Sequence, residues 1–557
     1  MKNKGTTDMK HLPRRKGTER KKKKDIIMAT GLIAYLIVLL IRIPLGRMIG
    51  DKGIGFFAAG MELFLVSTAV ISYGISRAVA VLIKYRMKRE QYKNAGKVFR
   101  SALLFSIISG GLFACILFVL SQPIAEILLL EKLSYLTIAA AAPAVMLSFI
   151  IGVLRGYFQG MGSAMPTVHS QLLERVIMFV SSLILASIAY AYGLKVAALL
   201  KNEEYAAAYG AMGAILGLTA ACIFGALHLL FIYILYARQW KKQVGKDSSR
   251  ATESGLQIVS MLFTTALPYS ICALLYHMNY LVDQRIFNYA MNIAGKDSLR
   301  VAHWGVYYGK YSVVIGAAVV LCTLPLTGAV LKIGQLYDRQ DQGGVREELR
   351  RSIHQLSIFS IPCAFLIAVL AEPIASILFK GDIKTAVLLI QSGSAVIVLA
   401  SFTYFLTAIL QRIRKLQIVM LGGFIAFLSH LILIILLLNN TQLGITAVVC
   451  GSILFYLASC VVCFFGVMRH MKYSQEWVRT FAVTLIAAGT SALIGMLLNK
   501  LLLSFAGNVI TLLLCIVVYL ITYHVFLIVL RGVRKEELEE MTGGNIITSI
   551  AVRLHLI

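Results

Sequence analysis

Ile26-Ile-Met-Ala-Thr-Gly-Leu-Ile-Ala-Tyr-Leu-Ile-Val-Leu-Leu-Ile-Arg-Ile-Pro-Leu-Gly46 decides the class of fold. About twenty mostly apolar residues form a helix long enough to cross a ~30 Å hydrocarbon core. Eleven of the 25 residues before it are Lys or Arg, Lys21 to Lys24 among them. A secretory signal would have a shorter apolar region and a small-residue cleavage site. Neither is present, so the segment is expected to stay as a membrane helix.

Comparable runs recur at roughly 55–83, 101–121, 134–154, 173–194, 206–236, 256–282, 305–331, 352–371, 385–410, 416–438, 442–468, 479–499 and 503–530. The expected fold is therefore an all-α polytopic membrane protein with about fourteen transmembrane helices. Continuous runs exclude a β-barrel, whose strands are ~10-residue alternating segments. Of the 557 residues 59% are hydrophobic and 14% charged, against about 45–50% and 25% in soluble domains. That excludes a soluble enzyme, a disordered scaffold and a secreted disulfide protein. The nine cysteines give no framework: seven stand singly in apolar runs, and Cys460-Val-Val-Cys463 has no second pair to complete a zinc site.

The net charge of +28 would suggest nucleic acid on a soluble chain. Its placement says otherwise. With the N-terminus inside, 39 of the 54 Lys and Arg fall in the inside tails and loops and 11 in the outside loops. By the positive-inside rule both ends are cytoplasmic. No nucleic-acid partner is needed, and anionic membrane lipid is the expected partner of the basic loops. Trp240, Trp304 and Trp477 fall at expected interfaces.

Leu120-Ser-Gln-Pro-Ile-Ala-Glu-Ile-Leu128 follows the third run, and Leu370-Ala-Glu-Pro-Ile-Ala-Ser-Ile-Leu378 follows the ninth, an offset of 250. Phe158-Gln159-Gly160 and Leu410-Gln411-Arg412 repeat at 252. The spacing implies two pseudo-symmetric six-helix lobes of like orientation plus two C-terminal helices. Such repeats hold a substrate between them near the bilayer middle and rock about it. The expected divisions are a basic tail 1–25, a first lobe 26–236, a linker 237–255, a second lobe 256–469, two helices in 470–531 and a tail 532–557.

Charges inside spans are costly and normally face a cavity or a partner. Gly31, Tyr35, Arg42 and Gly46 share one face of the first helix, and Glu62, Val66, Ala69, Tyr73 and Arg77 one face of the second. Arg42 and Arg77 are the candidate cavity cations, with Arg47, Glu62 and Lys310 as further candidates. Arg47 and Glu62 are near enough to the outer boundary to reach it, and a structural Arg42–Glu62 ion pair is the competing reading. Asp283 and Arg285 read as solvated, Trp304, Tyr307, Tyr308 and Tyr311 as an interface belt, and His228, His277 and His430 as helix-packing imidazoles. No metal-ligand or catalytic motif is present, so neither cofactor nor enzyme activity is expected. Guanidinium groups without deep acids suit an anionic head group, since they stay charged and pair bidentately with phosphate.

Gly46-Arg-Met-Ile-Gly-Asp-Lys-Gly-Ile-Gly-Phe-Phe57 resembles the first loop of polysaccharide exporters of the multidrug/oligosaccharidyl-lipid/polysaccharide (MOP) superfamily. Arg155-Gly-Tyr-Phe-Gln-Gly-Met-Gly162, followed by Pro166 and Glu174, resembles the helix 4–5 connection of its stage V sporulation protein B branch, and Leu281-Val-Asp-Gln-Arg-Ile286 that branch's seventh helix. The resemblance covers nearly the whole chain outside the tail. It implies a V-shaped flippase of polyprenyl-diphosphate-linked saccharides, related to MurJ-type lipid II flippases, in which arginines of helices 1, 2 and 8 line the cavity. Arg42 and Arg77 match two of them, and Lys310 stands where the third is expected. Arg155, Gln159, Glu174, Arg175, Asp283 and Arg285 become candidates for gating or cytoplasmic access. Departures from the branch are Arg175, where Gln is usual, and Arg412, Arg414 and Lys415, where Gly-rich sequence is usual.

The expected function is export of a lipid II-like peptidoglycan precursor across the cytoplasmic membrane of a Gram-positive-like cell, with cell-wall synthesis proteins as the remaining candidate partners. A drug or cation antiporter on the same fold would need a deep protonatable acid, and only Glu62 offers one, near the boundary. A membrane scaffold recruiting cell-wall or spore enzymes would depend on residues 1–24. A polyprenyl-dependent glycosyltransferase would need an acidic motif and a large outer loop.

Overall fold

The computed structural model describes residues 30–245, 247, 253–502 and 507–533. The basic tail 1–25, most of the tail 532–557 and much of the 237–255 linker's second half lie outside the described residues. Among the described residues thirteen helices are long and apolar enough to cross a membrane, so the chain is a multi-pass membrane protein. The first of these, Thr30–Ser67, is two helices joined at Gly50, whose φ of 73° and ψ of 178° are non-helical. A β-carbon on Gly46 would lie 3.5 Å from Ile54 Cγ1, whereas eight residues of straight helix span about 12 Å. The chain reverses there, so the described residues form fourteen helices.

They are α1 (30–49), α2 (51–87), α3 (Tyr92–Val119), α4 (Tyr135–Gly160), α5 (Met165–Leu200), α6 (Glu204–Val244), α7 (Gly255–Ile293, interrupted at Met278), α8 (Asp297–Asp338), α9 (Gln342–Val369), α10 (383–412, interrupted at Ser394), α11 (Leu416–Asn440), α12 (Ile445–Met471), α13 (Val478–Leu502) and α14 (Asn508–Val529). We call the side carrying the α2–α3, α4–α5 and α8–α9 loops the inner side. α3, α4, α5 and α6 pack together with α2, α10, α11 and α12 pack together with α7 and α8, and α13–α14 lie against α9.

The repeated sequences Ser121–Leu128 and Ala371–Leu378 form short helices after α3 and α9. The second helix of each lobe carries a π-helical turn, Thr68–Tyr73 in α2 and Tyr307–Tyr311 in α8. Such turns shift the side chains beyond them around the helix axis and recur at functional sites.

The lobes meet along α2 and α8. A β-carbon on Gly55 would come 2.3 Å from the Val301 carbonyl, and one on Gly305 would come 1.8 Å from the Asp51 carbonyl. Each contact partner and each glycine stand 250 residues from their equivalents, the offset of the sequence repeat. The helices thus cross about a local two-fold axis, and only glycine lets the backbones approach so closely.

Candidate substrate cavity and outer seal

Inward of this crossing the lobes diverge around a cavity of about 540 Å³. Arg77 of α2, Arg155 and Gln159 of α4, and Glu174 and Arg175 of α5 line one wall. His277 of α7 and Tyr404 and Gln411 of α10 line the other. Arg155 and Gln159 lie in the last turns of α4, and Gln411 lies in the last turn of α10, so the cavity reaches the inner ends of the helices. Arg155 donates from Nη2 to Glu174 Oε1 at 2.6 Å and from Nε to Ser170 Oγ at 3.1 Å. Arg77 stands 5.3 Å from the Tyr73 ring centroid, and Arg175 contacts Met178 Sδ at 3.8 Å. Among the described residues no carboxylate forms an ion pair with either. The wall therefore carries three guanidinium groups against one carboxylate, a surplus of positive charge and of hydrogen-bond donors over acceptors.

The other candidate cations are elsewhere. Arg42 is buried between α1 and α8, donating to the Tyr308 carbonyl (3.0 Å), the Tyr308 hydroxyl (2.9 Å) and Ser312 Oγ (2.9 Å), with its guanidinium 3.7 Å from the Tyr308 ring centroid. These contacts, rather than the ion pair with Glu62 of the competing reading, hold the Arg42 guanidinium. Glu62 is itself buried and faces Tyr308 and Arg42 rather than reaching the boundary. Lys310 is buried and donates to Asp51 Oδ2 at 2.9 Å and to the Asp382 carbonyl at 3.1 Å. Arg47 donates to the carbonyls of Ile377 and Leu378 at 2.7–3.0 Å. So of the five candidate cavity residues, Arg77 alone lines the cavity; Arg42, Arg47, Glu62 and Lys310 belong to the closed outer half.

That half is sealed by reciprocal contacts. Arg47, at the outer end of α1, meets the C-terminal carbonyls of the short helix after α9. Asn288, toward the outer end of α7, donates from Nδ2 to the Leu129 carbonyl at 2.7 Å, just after the matching helix that follows α3. Arg300 in α8 donates to Glu131 Oε2 at 2.6 Å, and Asp51 at the start of α2 accepts from the Asp382 amide at 3.0 Å. In each case the junction of a lobe's first two helices grips the other lobe's segment between its third and fourth. Burial pushes the Glu131 carboxyl up, against the opposing pull of Arg300. Burial also acts to raise Asp382, but the Thr385 hydroxyl and amide, with Lys310 and His303, outweigh it and hold that carboxyl below its usual value.

Two further expectations are corrected. Trp304, Tyr307, Tyr308 and Tyr311 form no interface belt: all are at most 3% exposed, and Tyr307 packs tilted against Trp304 and stacked on Tyr311, each with centroids 5.2 Å apart. α8 runs between the lobes, so both its faces are covered. Asp283 is not solvated either. It is 2% exposed and its carboxylate meets His430 Nε2 of α11 at 2.6 Å. The seventh helix continues as Asn279–Ile293 and buries Asp283 where a loop was expected to begin. Arg285, two residues on, lies 5.6 Å from the Tyr289 ring centroid with Nη1 buried. Neither residue lines the cavity.

Sequence reasoning missed Gly55, Gly305 and Asp51. The signal was present, because both glycines obey the 250-residue offset.

A multi-pass helix bundle whose lobes enclose such a cavity has the architecture of a membrane transporter. The chain matches the family described as "Polysaccharide biosynthesis protein" over residues 22–323, more than half its length, and belongs to that family. It is similar to stage V sporulation protein B of Bacillus subtilis (strain 168), 22% identical over 528 residues covering 93% of this chain and 96% of the relative. It is also similar to the lipid II flippase MurJ of that organism, at 22% over 80% of this chain and 81% of the relative. A solved structure of lipid II flippase MurJ in an inward closed conformation superposes with a TM-score of 0.61 at 13% identity, covering 90% of this chain and 98% of that one.

Proposed function

We propose that this protein flips a polyprenyl-diphosphate-linked saccharide, a lipid II-like peptidoglycan precursor, across the cytoplasmic membrane, with both termini cytoplasmic and the lobes divided at 237–255. The observation that carries this reading is the wall of Arg77, Arg155 and Arg175 in a cavity that reaches the inner side while the outer side is sealed. Similarity to a lipid II flippase supports the substrate class.

The diphosphate enters from the inner side and is held by charge-assisted hydrogen bonds from Arg77 and its neighbours. Bound anion lowers the repulsion within the wall and lets the inner ends of α4 and α10 approach. The outer contacts then part and the head group leaves outward. An apolar groove of about 680 Å³ lies beside α10, lined by Phe365, Phe402, Phe465, Trp477 and Phe481. It suits a polyprenyl tail that stays in lipid, and α10 separates it from the cavity by presenting Tyr404 on the other face. Two phosphate charges moving outward against a negative interior gain about 4–5 kcal/mol at 100 mV.

The test is rescue of a cell depleted of its lipid II flippase, with precursor exposure assayed outside. The wild-type chain should restore exposure, and Arg77→Ala should abolish it while folded protein remains in the membrane. Full activity of Arg77→Ala would overturn the site.

A further inference from the structure

The cavity wall contains an anion of its own. Glu174 is buried on α5 with Oε1 on Arg155 at 2.6 Å, and it occupies a notch in α6 at Gly225. A β-carbon on Gly225 would come 2.2 Å from Glu174 Oε1 and 2.5 Å from its carboxyl carbon, so the seat exists only because that residue is glycine. Arg155 is thus already neutralised, whereas Arg77 and Arg175 have no ion-paired carboxylate among the described residues.

We propose that Glu174 is a resident counter-anion which a diphosphate must displace from Arg155, and that this exchange selects diphosphates over single phosphates. The inference rests on the anion-binding reading above. A single phosphate group placed on Arg77 and Arg175 leaves the Arg155–Glu174 pair in place and gains only two guanidinium partners. A diphosphate presents a second phosphoryl group, with more charge and more acceptor oxygens than a carboxylate, and can compete for the third. Released Glu174 then returns to Arg155 when the substrate leaves, which speeds release. Ser170 Oγ holds Arg155 Nε at 3.1 Å, so the guanidinium keeps its place while its partner changes.

The experiment is calorimetric titration of the full-length protein in lipid nanodiscs with inorganic pyrophosphate and, separately, orthophosphate. Wild type should prefer pyrophosphate by about tenfold or more, on the order of one well-placed ionic contact. Glu174→Gln keeps the shape of the side chain and removes its charge. It should tighten orthophosphate binding by about tenfold and shrink the preference to about threefold or less. A Glu174→Gln protein that keeps the wild-type preference, or that loses both anions equally, would show Glu174 to be a packing residue only. Arg77→Gln separates the two proposals. If it leaves both affinities unchanged, the anion-binding reading fails; if it weakens both while Glu174→Gln leaves the preference intact, only the exchange fails. Should Glu174→Gln not yield monodisperse protein, Arg155→Lys decides. It keeps the charge but loses the two-pronged grip, and the preference should fall in the same direction; an unaltered preference refutes the exchange.

Discussion

Gly55 and Gly305 pass beneath one another's helices, each against the backbone carbonyl that stands four residues before the other glycine. Their contact fixes how closely α2 and α8 approach, and the inter-lobe pairs Arg300–Glu131 and Lys310–Asp51 lie beside it.

Gly305→Ala should therefore open the outer side. Its β-carbon would lie 1.8 Å from the Asp51 carbonyl oxygen, an overlap that only helix displacement relieves, at a cost of about 1–3 kcal/mol or more. Spin labels at the exposed positions Lys132 and Lys384, one on each lobe, should report a longer distance in the variant. An unchanged distance would show that the crossing does not set the seal.

Arg300–Glu131 and Lys310–Asp51 are largely buried pairs between lobes. Removing one partner of a buried pair typically costs about 3–5 kcal/mol. Arg300→Ala and Lys310→Ala should each raise the outward-open population in the same spin-label measurement. The double variant should fall short of the sum of the two in free energy, because once one pair parts the other is already exposed to water and weakened. Strict additivity would mean the pairs act independently.

Asp283→Leu or His430→Leu alone should destabilise the protein by about 3–5 kcal/mol, since each leaves a buried polar partner stranded. The combined replacement Asp283→Leu with His430→Leu should recover much of that loss in thermal unfolding. Equal loss in all three would show that the pair contributes nothing as a pair.

Asp382 caps α10 by accepting from the Thr385 amide at 3.0 Å, and its carboxyl is held below its ordinary value. A depressed carboxylate contributes stability that is present above the unfolded value, about 3.9, and is lost as pH falls through the lower folded value. The outer seal should accordingly weaken on acidification below about pH 4, and Asp382→Asn should flatten that dependence. The Lys132–Lys384 distance measured against pH checks it.

Fold class was legible because apolar runs of bilayer length leave few alternatives, and the Leu120–Leu128 and Leu370–Leu378 repeat located the two-fold relation. Arg77, singled out by its helical face, and Arg155, Gln159, Glu174 and Arg175, singled out by the resemblance as gating or entry candidates, all line the cavity. The positions of Arg42 and Lys310 did not. A helical face marks a side chain as turned from lipid, but whether it meets water or another helix depends on how the lobes are tilted. The burial of Asp283 was hidden for a related reason: a polar run at a helix end reads as solvated, and its partner His430 lies 147 residues away.

The crossing at Gly55 and Gly305 has the form of a self-complementary dimer contact, in which residue i meets j and j meets i. Half of this chain could have closed on a second copy of itself through that same surface. Once the two copies share one polypeptide, a change in one is no longer repeated in the other. The first half can then keep Arg77, Arg155 and Arg175 on its wall while the second, 250 residues on, has Thr327, Phe405 and Ile425, and the shared seam holds the now unlike halves in register.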